Sequence, residues 1–109
     1  MGIKFKNNAF ATIPLAVSST VTSVTVTSGQ GTRFPVLGAS DYFYATISDT
    51  GNNFEIVKVT ARFDDVLTIA RAQEGTLAIP FAANSRIELR ITVASIEEYV
   101  FQRGALLLE

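Results

Sequence analysis

The chain has 109 residues, with 9 Lys+Arg against 10 Asp+Glu and a formal net charge of -1. Hydrophobic residues make up 48%, aromatics 10% and charged residues 17%. This is one domain able to bury a core, not a disordered polypeptide, and it lacks the basic excess with which a dedicated nucleic-acid binder displaces counterions.

The missing residue types narrow the chemistry. Without Cys there is no disulfide, no thiolate nucleophile and no Cys-based metal site. Without His there is no Ser-His-Asp triad and no side chain that ordinarily titrates near pH 7. Carboxylates and Lys remain, so catalysis is disfavoured rather than excluded. The longest apolar runs fall well short of the roughly 18 residues of a membrane span. Lys4 and Lys6, then Pro14, read as a mature N-terminus rather than a signal peptide. Lys6 also stands where a myristoylation motif requires Ser or Thr.

Residues 1–19 read as an extended arm. Phe5, Phe10, Ile13 and Leu15 follow no 3.6 or 2.0 period, and Pro14 interrupts any regular element. So many large apolar groups in a free terminus want a cover, such as a neighbouring subunit. From Thr20 to Ser28 the β-branched alternation predicts a strand, with Val24 and Val26 on one face. Gly29-Gln30-Gly31 turns the chain.

Tyr42–Ser48 is the second predicted strand. Phe43, Ala45 and Ile47 share one face and Tyr42, Tyr44 and Thr46 the other, so both sides have bulk to bury. Asp49–Asn53 is a turn, and Phe54–Arg62 a third strand with Val57, Val59 and Ala61 on one face. Asp64-Asp65 turns into a fourth strand, Val66–Arg71, which makes a hairpin with the third. A loop through Pro80 leads to Arg86–Val93, where Ile87, Leu89, Ile91 and Val93 alternate with Arg86, Glu88, Arg90 and Thr92.

Ser95 and Glu98 have capping-box spacing, which predicts a helix from Ile96 to about Arg103, ending at Gly104. Ile96, Tyr99 and Val100 give it an apolar stripe, and Ala105-Leu106-Leu107-Leu108 forms an apolar tail. The expected organisation is an arm over 1–19, a β-rich domain over 20–94, and a helix with its tail over 95–109. The expected fold class is all-β: a small antiparallel β-sandwich or barrel of about five or six strands with one short C-terminal helix.

Few residues offer chemistry. Gly29–Phe34 begins like a dinucleotide fingerprint, but Phe34 replaces the third Gly and no helix follows. Asp49–Asn53 misses the spacing of a Ca²⁺ loop. Asp64-Asp65, adjacent at a hairpin tip, reads as a turn before it reads as an acid–base pair, and Glu55 is the remaining carboxylate for a hydrolase. Arg86, Glu88 and Arg90 form a charged stripe, more often a solvated face than an anion site. Tyr42 and Tyr44 could stack on a sugar, although packing or a subunit interface is the commoner fate. No catalytic, cofactor-binding or metal site is assigned.

The chain resembles a family of small phage virion modules. The segments that carry the resemblance are Lys6–Ala9, Ser28–Pro35, Asp41–Thr46, Phe54–Arg62, Arg71–Thr76 and Arg86–Thr92. In that family the module occurs as a small structural protein and as the N-terminal part of longer tail-fibre-like proteins. The resemblance implies a virion structural role and no catalytic residue. No fibre shaft follows residue 109, which favours a free-standing capsid decoration or cement protein. The rivals are a neck or tail adaptor that anchors fibres, and a carbohydrate-binding module. The implied partners are other copies of the chain, with a trimer favoured, and the major capsid or neck/tail proteins. Neither nucleic acid nor membrane is expected, and assembly would take place in the host cytoplasm. The expected contact residues are Phe5, Phe10, Ile13, Leu15, Tyr42, Tyr44, Tyr99, Phe101, Leu106 and Leu107.

Overall fold

The computed structural model describes residues 2–107, with side chains described as far as Arg103. Seven strands and one helix follow in chain order: β1 (Gly2–Ile3), β2 (Phe10–Ile13), β3 (Ser23–Thr25), β4 (Asp41–Ser48), β5 (Phe54–Phe63), β6 (Val66–Gln73), β7 (Ser85–Leu89) and α1 (Val93–Leu107). A 3-10 turn, Gln30–Arg33, lies between β3 and β4.

The strands form a single sheet in the order β2-β7-β4-β5-β6-β3, with β1 pairing in parallel beside the start of β4. All other pairings are antiparallel. The sheet curls until its two ends meet, where the Thr27 amide donates to the Thr12 carbonyl at 2.9 Å. The Gln30 side chain bridges the same gap, its Oε1 accepting from the Thr12 amide at 2.8 Å. The result is a nearly closed barrel, which leaves few unpaired strand edges.

Alternation fills the barrel. Ala11 and Ile13 of β2, Val24 of β3, Phe43, Ala45 and Ile47 of β4, Val57 and Val59 of β5, Leu67 and Ile69 of β6 and Ile87 of β7 form one buried cluster. Phe34 joins it from the loop, stacked on Phe43 with ring centroids 5.6 Å apart. Burying each large side chain of this kind stabilises the fold by about 1.5–3 kcal/mol. As expected, β4 is covered on both faces: Tyr44 and Thr46 are buried on one side, and Phe43, Ala45 and Ile47 on the other.

Several sequence expectations need correction. The segment 1–19 is not a separate arm. β2 pairs with β7 through Phe10↔Glu88 to Ile13↔Ser85, and it delivers Ala11 and Ile13 to the core. Val17 and Phe81 exchange two backbone hydrogen bonds of 2.8 Å. The strand covers only four residues, and half of its inward pair is a small Ala, so no period stands out. Ala61 leaves the inward face of β5 because the β5–β6 register shifts between Val59 and Ala61, as a β-bulge does. The alternation in 86–93 outlasts its strand. Pairing with β4 ends at Leu89, and Ile91 and Val93 lie exposed beyond it.

The helix also differs from its prediction. It begins at Val93, three residues before the expected start, and runs through Gly104 to Leu107. Thr92 precedes the first turn, and its Oγ1 accepts from the Ser95 amide at 3.1 Å. The Ser95 hydroxyl accepts in return from the Thr92 amide at 2.7 Å. The reciprocal cap is therefore Thr92 with Ser95, not Ser95 with Glu98. Arg103 stands a turn before the helix end, its guanidinium 6.0 Å from the Tyr99 ring centroid. Leu108 and Glu109, the end of the expected tail, lie outside the described residues. Among the described residues no helix is long and apolar enough to cross a membrane.

Candidate interaction surface

Helix α1 lies against the barrel through polar groups. Glu98 accepts from both tyrosines of β4: the Tyr42 hydroxyl donates to Oε1 at 2.5 Å and the Tyr44 hydroxyl to Oε2 at 2.9 Å. One turn on, Gln102 Oε1 accepts from the Ile3 amide of β1 at 3.2 Å while its Nε2 donates to the Tyr42 hydroxyl at 3.1 Å. Phe5 meets Tyr99 edge to face at 5.6 Å. From the β6 side, Glu74 Oε1 accepts from the Ala94 amide at 3.0 Å, where a carboxylate suits the helix N-terminus. Burial and the Glu98 carboxylate both raise the tyrosine phenols above their ordinary range, because each disfavours a tyrosinate.

The opposite flank of α1 is apolar and uncovered. Val93 is 70% exposed, Ile96 52%, Val100 60% and Phe101 76%. Of the residues from Val93 to Arg103, only Ser95 is buried. An isolated helix of this length is marginal in water, and an outward apolar stripe is the usual mark of a binding face.

The expected contact residues separate into three groups. Ile13 and Tyr44 are buried within the chain, Ile13 in the core and Tyr44 beneath Glu98, and neither presents a contact surface. Tyr42 is half-buried, its hydroxyl taken by Glu98 and its ring covered by the Lys58 ammonium at 4.3 Å. Phe10 is half-buried between two guanidinium groups, with Arg33 at 4.8 Å and Arg86 at 4.4 Å from the ring centroid. Phe5, Leu15, Tyr99 and Phe101 are exposed. Phe5, Tyr99 and Phe101 lie on or against α1, whereas Leu15 lies beyond the end of β2. The side chains of Leu106 and Leu107 lie outside the described residues. Sequence reasoning missed Val93, Ile96 and Val100 as contact residues: it placed Val93 in a strand, and it gave Ile96 and Val100 an apolar stripe without naming a partner for it.

The groups considered for chemistry are held by the scaffold. Glu55 is fully buried, and Arg71 grips it through Nε to Oε2 and Nη2 to Oε1, both at 2.8 Å. The Ala72 and Ile79 amides also donate to this carboxylate. Burial alone would raise the Glu55 pKa, but the guanidinium and the two amides outweigh it and leave the carboxyl below its ordinary value. Arg71 also donates to the carbonyls of Ser18, Val21 and Ile79, so one side chain ties two loops, the one before β3 and the one before β7, to the sheet.

The Gly29–Phe34 loop closes on a carboxylate rather than a phosphate. Asp65 accepts from the Gly29 amide at 3.1 Å and the Gly31 amide at 2.9 Å, which lower its pKa. Asp49 is used by its own turn, accepting from the Asn53 side chain and from the Gly51 and Asn53 amides. The Arg86–Glu88–Arg90 stripe is satisfied internally: Arg86 and Arg90 both donate to Glu88 Oε1, at 3.0 and 2.9 Å. A shallow depression of about 430 Å³ is lined by Thr12, Ser48, Asp49, Asn84, Ser85 and Arg86, and gathers no convergent set of reactive groups. Among the described residues no group of three His, Cys, Asp or Glu side chains is placed to hold a metal ion. Neither the protein-family models nor the curated proteins searched give a match to the chain.

Proposed function

We propose that the chain is a non-enzymatic structural protein of a bacteriophage virion, an oligomeric decoration or cement protein on the capsid exterior. The observation that carries an interaction role is the uncovered apolar surface of α1, formed by Val93, Ile96, Val100 and Phe101 on a helix held mainly by polar contacts. The phage setting rests on the resemblance borne by Ser28–Pro35, Asp41–Thr46, Phe54–Arg62 and Arg86–Thr92. Both fit a protein selected to be stable and to bind other proteins. The sequestration of Glu55 and Asp65 in scaffold contacts supports the same reading over a carboxylate hydrolase.

The sugar-binding alternative loses its main support, because Tyr42 and Tyr44 have their hydroxyls committed to Glu98 and the Tyr44 ring is buried. The neck or tail adaptor uses the same kind of surface and differs in where it docks. Cosedimentation of the purified protein with phage heads lacking it tests the proposal. Saturable binding to heads, weakened by Leu15→Ser and Phe101→Ser without loss of fold, is the expected result. Binding only to tails would favour the adaptor, and absence of particle binding would overturn the virion role.

A further inference from the structure

The surface around Phe10 gathers positive charge without matching carboxylates. Phe10 stands on the outer side of β2, since Ala11 and Ile13 take the inward positions. Two guanidinium groups lie over its ring, Arg33 at 4.8 Å and Arg86 at 4.4 Å from the centroid. Among the described residues no other ring carries two cations. The Lys6 ammonium adjoins them, donating at 2.7 Å to the carbonyl of Thr32, the neighbour of Arg33. Arg33 donates to the Phe10 carbonyl at 3.3 Å, and among the described residues neither Arg33 nor Lys6 has an ion pair. Arg86 shares the Oε1 atom of Glu88 with Arg90, so one carboxylate answers two guanidinium groups. Lys6, Arg33, Arg86 and Arg90 are all exposed. Asp49 and Glu74 line depressions beside Arg90, but both carboxylates are engaged by backbone amides, Asp49 by Gly51 and Asn53 and Glu74 by Ala94.

We infer that this strip docks an acidic segment of another protein, whose carboxylates are taken by Arg33 and Arg86 with Lys6 beside them. Like charges held against one ring repel, and a bound anion relieves that repulsion. Contact with the ring restrains each guanidinium, so its unused N–H donors meet a carboxylate at a smaller entropy cost. The Arg fork also matches a carboxylate with two parallel hydrogen bonds. A nucleic acid fits the strip less well. The Phe10 ring already carries its two guanidinium groups and is not open for a base to stack. Glu88 interrupts the run of positive charge that a phosphate backbone would follow. A protein segment can space its carboxylates to pass Glu88.

The strip differs in chemistry from the apolar surface of α1, and it is tested on the isolated chain, so its failure and a failure of particle binding remain distinguishable. Fluorescein-labelled poly-L-glutamate, titrated with the full chain, should show a saturable rise in anisotropy at low ionic strength that falls as salt is added. Arg33→Glu and Arg86→Glu should each weaken binding about five- to tenfold. Arg33→Gln and Arg86→Gln should weaken it less but in the same direction, and they keep the test open if a charge reversal disturbs the fold. Arg103→Glu makes the same change in net charge at an exposed position on α1 and should leave the affinity within about twofold of wild type. Far-UV circular dichroism checks the fold of every variant. No binding of polyglutamate, a loss in Arg103→Glu equal to that in the strip variants, or tighter binding of a labelled oligothymidine than of polyglutamate would overturn the inference.

Discussion

Arg71→Met is the substitution from which the scaffold has most to lose. It removes two hydrogen bonds to Glu55 and three to the carbonyls of Ser18, Val21 and Ile79. The Glu55 side chain has no exposure and that of Arg71 has 8%, so solvent cannot take over the lost partnership. Breaking a buried pair in this way costs about 3–5 kcal/mol, because the remaining charge is stranded with two amide donors. Domains of this size are stable by only about 5–15 kcal/mol, so the variant should sit near its unfolding threshold. Urea unfolding followed by circular dichroism measures the difference at pH 7. The double variant Glu55→Leu, Arg71→Met should recover part of the loss but not all, since the Val21 and Ile79 carbonyls stay unpaired at about 1–3 kcal/mol each where water cannot reach them. A loss below about 1 kcal/mol in Arg71→Met, the range of an exposed ion pair, would refute the clamp.

Gly31→Ala should destabilise the barrel by about 2 kcal/mol or more, since the added Cβ would lie 2.0 Å from the Asp64 carbonyl oxygen, a backbone atom with little room to move. The same urea titration checks it. Acid should weaken the fold. Glu55, Asp49, Asp65 and Glu88 all have depressed pKa values, so their contribution is complete above the ordinary carboxylate range and is lost as pH falls through the folded values. The urea midpoint should therefore drop between pH 5 and pH 3, and drop less in Arg71→Met. Alkali should loosen α1. Tyr42 and Tyr44 are raised above 10.0, so their contribution is complete below pH 10 and is lost as pH rises through the folded values. Tyrosinate absorbance and helical circular dichroism, recorded together, should show late ionisation coupled to helix loss, with Tyr44→Phe weakening helix docking already at neutral pH.

The long strands were legible because strand-favouring residues run through them, aromatic at the start of β4 and β-branched in β5 and β6. The hairpin turn at Asp64-Asp65 was legible for the same reason, with Asp64 taking a φ of 54° at the tip. β1 and β2 were not, at two and four residues, because their membership depends on partners 39 and more positions away. The limits of α1 were misread because Thr92 and Ser95 share a cap that local pattern reading gave to Ser95 and Glu98. That assignment hid the real use of Glu98, which is to hold both tyrosines of β4. Exposure was the least legible property. Ile91 and Val93 continue a buried alternation in sequence but pass the point where the sheet ends, and Ile13 reads as a stray apolar group although it lines the core.

The central claim is that this barrel is a stoichiometric component of a phage head. Quantitative mass spectrometry of purified particles, with peptides of this chain measured against the major capsid protein, tests it most directly. The account predicts a ratio near one, or a simple lattice fraction of it. A ratio of a few per cent would place the protein at the neck or tail, and its absence from particles would contradict the virion role altogether.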